Sequence, residues 1–228
     1  MLAMPKILVI DTAYAACSVA LQADSQVHAA HTDTERCHNE LILPMVQQVL
    51  SEAGLTLTDL DAVAFGCGPG SFTGVRIAAS VVQGLAYAMS CPVIRISSLQ
   101  AIAEAQFQKT GNANILVAID AHMQAIYSAR FTWHNGFMNS TGPEQQIAIA
   151  DFQVPAGKWL VVGDAYRAYP DLARPDTCTW QEQGWQTEAK DLLPLALAKY
   201  AQQDTVGAAL ALPTYLSETH WRKLPGRT

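Results

Sequence analysis

The chain opens on a short apolar, β-branched run, Lys6–Thr12, with Asp11 near its end. That pattern predicts a buried strand. A turn of small residues follows, then strands at Cys17–Gln22 and Gln26–Thr32, so the first three strands form a meander. From Glu35 to Ala53 the apolar positions take on helical spacing, with Leu41, Met45 and Val49 on one stripe and Ile42, Val46 and Leu50 beside it. Pro44 must kink this helix or mark its first turn, and Gly54 is a natural stop. Ala62–Gly66 predicts a strand, Gly68–Gly74 a loop and Val75–Met89 a helix. That helix is apolar nearly all round, so it should be sandwiched between other elements. Pro92–Ile96 reads as a strand and Leu99–Gln108 as a helix.

The pattern then restarts. Ile115–Asp120 repeats the character of Ile7–Asp11, and a second strand, Ile126–Phe131, follows it as Cys17–Leu21 follows the first. Trp159–Gly163 echoes Ala62–Gly66. The two halves share little identity, so this is a structural repeat, dividing near residues 98–112. The stretches 134–158 and 170–186 are predicted to be rich in loops.

Composition narrows the possibilities. Of the 228 residues, 50% are hydrophobic and only 15% charged, against about 25% in an ordinary globular domain. Such a chain is not disordered, and it has little charge to cover its surface, as expected of a subunit with a buried face. Net charge is −6, which argues against tight, unaided nucleic-acid binding. No apolar run approaches the ~20 residues of a membrane span, and the start does not resemble a signal peptide. The five cysteines, Cys17, Cys37, Cys67, Cys91 and Cys178, are odd in number and widely spaced. They predict reduced thiols in a cytoplasmic setting.

Candidate chemistry centres on Gly66-Cys67-Gly68-Pro69-Gly70-Ser71-Phe72-Thr73-Gly74-Val75-Arg76, between a strand and a helix. Glycines permit a tight turn, free N–H groups at a helix start attract anions, and Ser71 or Thr73 can N-cap the helix. The loop is not a P-loop, since no Lys-Ser/Thr follows the glycines, and Thr73 stands where a dinucleotide fingerprint needs its third glycine. It either binds an anion or is a structural turn. Asp11 and Asp120 each end an apolar strand, where a carboxylate reaches a metal–phosphate or caps its own turn. Their matching places in the two halves favour a nucleotide cleft between them. His28, His31, His38, His122, His134 and His220 form no i,i+4 pair, so no metal site is predicted. Cys37 and His38 are adjacent and make no dyad, and Ser71 lacks a G-x-S-x-G context. The tail carries Arg222, Lys223 and Arg227, either a solvated end or a contact for a partner or RNA.

Ile10-Asp11-Thr12-Ala13, the glycine string, Gln83-Gly84-Leu85-Ala86, Ile119-Asp120-Ala121 and Lys223-Leu224-Pro225-Gly226 together resemble the bacterial TsaB family, also called YeaZ. The resemblance spans almost the whole chain. It implies an α/β, two-domain actin-like fold of the actin, sugar-kinase and Hsp70 type, with two repeated mixed-sheet domains flanked by helices. The domains are expected at residues 1–101 and 102–228, the last helix able to pack back on the N-terminal one.

The resemblance also implies a function. Family members are non-catalytic subunits that bind the catalytic paralogue TsaD and support threonylcarbamoyl transfer to N6 of adenosine 37 in tRNAs reading ANN codons. TsaE with ATP is a further partner, tRNA is met only through the complex, and a homodimer is possible in isolation. The catalytic paralogues carry a His-x-x-x-His metal motif where this chain has Ser98 and Ile102, so no metal and no catalytic residue is expected. The implied partner interface is Leu41, Ile42, Met45, Val46, Val49 and Leu50 on one helix and Val75, Arg76, Ala79, Val82 and Gln83 on the other. Asp11, Thr12, Gly68, Gly70, Ser71, Thr73 and Gly74 are the candidate nucleotide contacts, for weak ADP or ATP binding that the chain does not require. The alternatives are a stand-alone nucleotide-binding or nucleotide-hydrolysing enzyme of the same fold, and a metallopeptidase, which the missing ligands disfavour.

Overall fold

A computed structural model describes residues 4–14, 16–33 and 38–216. The first sheet has the order β3-β2-β1-β4-β5, built from β1 (Ile7–Asp11), β2 (Cys17–Ala23), β3 (Gln26–Thr32), β4 (Ala62–Gly66) and β5 (Val93–Ile96). β1 pairs antiparallel with β2 and parallel with β4. Its run is continuously apolar because both faces are covered. Leu8 and Ile10 point to one side, where α1 (His38–Ala53) and α2 (Phe72–Met89) pack, while Ile7 and Val9 point to the other. There they meet Leu192, Leu193, Leu195 and Ala196 of α5 (Ala189–Ala201), a helix from the far end of the chain.

The sequence pattern does not predict α5, because its apolar positions run together without a clear stripe and Pro194 interrupts them. Pro44 is likewise tolerated inside α1, on its exposed side. α2 begins earlier than the predicted Val75, because the Ser71 hydroxyl accepts the Gly74 N–H and caps the helix. A left-handed Ser90 ends it.

The second sheet repeats the plan. Its order is β11-β10-β6-β7-β8, from β6 (Asn114–Asp120), β7 (Ala125–His134), β8 (Phe137–Ser140), β10 (Leu160–Val162) and β11 (Thr179–Gln181), with β9 (Gln145–Ala148) also on β7. Ile115, Val117 and Ile119 of β6 face Leu99 and Ile102 of α3 (Ser98–Thr110), while Leu116 and Ala118 face the short α4 (Ala165–Ala168) and aromatic side chains around it. β8, β9 and β11 correct the expectation of loops over 134–158 and 170–186. These strands are three or four residues long, too short for periodicity to register. The expected division after residue 101 falls inside α3, one continuous helix. Among the described residues, no helix is long and apolar enough to cross a membrane.

Candidate functional site

The ends of β1 and β6 and the glycine loop meet at a cleft of about 660 Å³ between the two sheets. Gly70, Ser71 and Thr73 line it, together with Asp120, Asp164 and the rings of Tyr14, Phe72, Tyr127 and Trp185. The loop is locked against the β1–β2 turn. The Ser71 N–H donates to the Ala13 carbonyl at 2.7 Å, and the Thr12 hydroxyl donates to the Gly74 carbonyl at 2.7 Å. A Cβ at Gly74 would fall onto the Thr12 carbonyl oxygen, and one at Gly70 onto that of Ala13. These glycines are there because backbone passes against backbone.

On the loop's other side, the Thr214 N–H donates to the Cys67 carbonyl at 2.7 Å, so a strap from the C-terminal part of the chain holds it as well. Asp11, Thr12, Gly68 and Gly74, expected among nucleotide contacts, are buried and do not line the cleft; they serve this packing. Gly70, Ser71 and Thr73 do line it.

The two strand-end carboxylates have different surroundings. Asp11 is buried. Its Oδ1 accepts the Ala13 N–H at 3.0 Å and its Oδ2 the Thr187 hydroxyl at 3.4 Å. Burial raises its pKa to about 6, opposed by the Ala13 and Thr187 hydrogen bonds. Asp120 lines the cleft. Its Oδ1 accepts the His122 N–H at 2.8 Å and the Tyr169 hydroxyl at 2.7 Å, and Asp164 accepts the Asp120 N–H at 3.0 Å. Among the described residues no Lys or Arg lines the cleft, so a polyphosphate would find carboxylates and no fixed Lys or Arg from them there.

Ser98 and Ile102 offer little to a metal. Ile102 is packed in the core of the second sheet, and the buried Ser98 hydroxyl has no hydrogen-bond partner among the described residues. An aliphatic side chain supplies no donor. The two buried thiols, Cys17 and Cys67, are unsuited to nucleophilic work. Burial pushes Cys17 to about 11 and raises Cys67, which keeps both protonated at neutral pH. Cys37 and the tail with Arg222, Lys223 and Arg227 lie outside the described residues.

A second candidate surface is the outside of the α1–α2 layer. Ile42, Met45, Val46, Val49, Leu50, Val75, Ala79 and Val82 were expected to face a partner, but they are buried in this chain's own core, and Leu41 packs against the same core. Those positions form the inner stripe that covers the first sheet. Arg76 is exposed and Gln83 half-buried. The outer face also carries residues that the apolar stripe does not single out: Phe72, Ser80, Gly84 and Tyr87 on α2, and Leu43 on α1. Leu43, Leu55, Leu57 and Leu85 flank a groove of about 530 Å³ beside α1. A Cβ at Gly84 would meet nothing, so the centre of the α2 face is open. A small or polar residue inside an apolar helix is the one sequence sign that could have marked this face.

Two sheets of the same order, meeting at a cleft between their first strands, define an α/β protein of the actin, sugar-kinase and Hsp70 type. Comparison with known proteins narrows this. Residues 25–214 match the family model described as "TsaD: tRNA N6-adenosine threonylcarbamoyltransferase". The chain is 39% identical to the tRNA threonylcarbamoyladenosine biosynthesis protein TsaB of Escherichia coli, covering 97% of this chain and 99% of that protein. It is 36% identical to TsaB of Haemophilus influenzae, covering 97% and 98%. The solved structure of YeaZ from Pseudomonas aeruginosa superposes with a TM-score of 0.87 at 36% identity, covering 93% of this chain and all of that one. The chain belongs to the TsaB (YeaZ) family of tRNA threonylcarbamoyladenosine biosynthesis proteins.

Proposed function

We propose that this chain is an accessory subunit rather than the catalyst. It binds a TsaD-type catalytic subunit through the outer face of α2 and the adjoining edge of α1. In that complex it is required for threonylcarbamoyl transfer to N6 of adenosine 37 in tRNAs reading ANN codons. The observation that carries this is the form of the α2 face. Ser80 and Gly84 leave its middle low, while Phe72 and Tyr87, 61% and 83% exposed, stand at its two ends. Small residues let a second helix approach closely, and exposed aromatic side chains supply contact area at little entropic cost. Leu43, 53% exposed, and the groove beside it extend the apolar surface onto α1.

The absence of a catalytic role rests on chemistry. Ser98 and Ile102 replace metal-binding imidazoles with a hydroxyl and a buried aliphatic chain. With no Lys or Arg among the described residues lining the cleft, nucleotide-dependent steps fall in this reading to the other subunits, including TsaE with ATP. tRNA is met through the complex, and an isolated chain pairs with itself through the same face.

Light scattering coupled to size exclusion, with the chain alone and with TsaD, tests the docking. A stable heterodimer is expected, together with transferase activity only when TsaD and TsaE are present. Ser80→Trp should keep the fold and weaken TsaD binding by about a hundredfold, since a large ring obstructs close helix approach. Transferase activity by the chain alone, or no TsaD binding at micromolar concentration, would overturn the proposal. Chelator-sensitive proteolysis by the purified chain would instead support a peptidase; a structural relative from P. aeruginosa is described as similar to "peptidase YEAZ".

A further inference from the structure

Near the N-terminal end of α2, Arg76 is exposed and lies in an unusual setting. Its guanidinium carbon is 3.5 Å from the centroid of the Phe72 ring and 5.5 Å from that of Tyr215, and its Nε donates to the Tyr215 hydroxyl at 2.6 Å. The two rings lie 6.0 Å apart, tilted at 42° to each other. Tyr215 belongs to the strap whose neighbouring residue, Thr214, bonds to the Cys67 carbonyl at 2.7 Å and accepts from Arg95 at 2.9 Å. The cation is therefore held by a helix on one side and an anchored strap on the other.

The N-terminal end of a helix disfavours positive charge, and α2 has no acidic residue in its first turn. Among the described residues, Arg76 makes no ion pair with a carboxylate, and its terminal nitrogens make no hydrogen bond. Phe72 and Tyr215 remain 61% and 50% exposed. Arg, Phe and Tyr are the residues enriched at protein interfaces, and a guanidinium fixed in its plane presents a ready fork for a carboxylate.

We propose that Arg76, stacked on Phe72 and tied to the Tyr215 hydroxyl, is the specificity anchor of the α2 face and takes an Asp or Glu side chain of the docking catalytic subunit. The proposal rests on the docking reading above and adds the chemistry of the partner. Among the described residues Arg76 is the one Lys or Arg on α1 or α2, and it defines the complementary charge. Once covered, the pair is desolvated by the two rings, which is the setting in which one charge pair governs partner choice.

The test is titration calorimetry of the full chain with TsaD at two salt concentrations, with thermal melts of each variant. Arg76→Ala should melt with the parent and bind about tenfold or more weakly, with a shallower salt dependence. Arg76→Lys keeps the charge and loses the fork, and should weaken binding about fivefold. Tyr215→Phe removes the hydroxyl that holds Nε, and a loss of about threefold is expected. Arg76→Glu should abolish binding and be rescued by one Asp→Lys or Glu→Lys change on TsaD.

Affinity within twofold for Arg76→Ala, while Ser80→Trp still blocks the complex, would overturn the anchor and leave the docking face standing. Unchanged affinity in both would overturn the docking reading itself. If Arg76→Ala dissolved a homodimer but left TsaD binding intact, the anchor would belong to self-association and the proposal would fail.

Discussion

The two halves of the molecule use one strand order for different ends. In the first, β4 and β5 are joined by α2, eighteen residues long, and both faces of the sheet are sealed, by α1 and α2 on one side and by α5 on the other. In the second, α3 lies largely buried against one face, β10 and β11 are joined through α4, only four residues long, and loops with aromatic side chains cover the other face. Only the first half therefore has a broad helical exterior to offer a partner. The strand-end carboxylates diverge in the same way. Asp11 is enclosed beneath the glycine loop, where a Cβ at Gly66 would strike its carboxylate, whereas Asp120 faces the cleft and is bonded to His122 and Tyr169. A shared topology sets where a residue sits, and its neighbours decide whether it meets solvent.

The strongest way to break this comparison is at the glycines where both halves press backbone on backbone. Gly74 lies against the Thr12 carbonyl, and Gly163, with φ of +128°, against that of Ala118. Gly74→Val and Gly163→Val should each cost about 4 kcal/mol or more, or yield no folded protein, in chemical denaturation. A milder effect at Gly163 would show that the shorter second half yields where the first cannot.

The carboxylates come next. The raised pKa of Asp11 means that the folded state holds this proton more tightly than the unfolded chain. Its stabilising contribution is therefore present below pH ~4 and lost as pH rises through about 6. Asp11→Asn should remove that loss, gaining about 2 kcal/mol over wild type on going from pH 4 to pH 7. A parent-like pH slope in Asp11→Asn would mean that the enclosed end does not hold its proton in the folded state.

The smallest effect sharpens the view of the outer helix face. Gly84 costs helix stability relative to alanine, and nothing surrounds it. Gly84→Ala should raise stability by about 0.5–1 kcal/mol, measured on the isolated chain. A loss instead would mean that the face is already covered.

Much of this was legible from the sequence. The two Asp-tipped strands, the meander after each, the glycine loop with its Ser71 cap and the echo of Ala62–Gly66 in residues 159–163 all leave local marks: apolar runs, turn residues and capping hydroxyls. α5 left none, because a helix buried against a sheet can be apolar throughout. The α1 stripe was legible as a stripe, but its direction was not. Periodicity shows that Leu41, Met45 and Val49 share a face; it does not say whether the chain or a partner covers it.

The sequence by itself determined the repeated plan, the family and the local stops and starts, since these depend on neighbours a few residues apart. Only the tertiary structure decided that Asp11 is enclosed and Asp120 open, that a strap near Thr214 holds the glycine loop, and that the outer face belongs to Phe72, Arg76, Ser80, Gly84 and Tyr87. Thr187 reaches Asp11 across 176 positions of chain, and Tyr215 reaches Arg76 across 139. Burial and partnership at that range depend on how the two sheets and their helices close on each other, and no pattern of neighbouring residues carries that information.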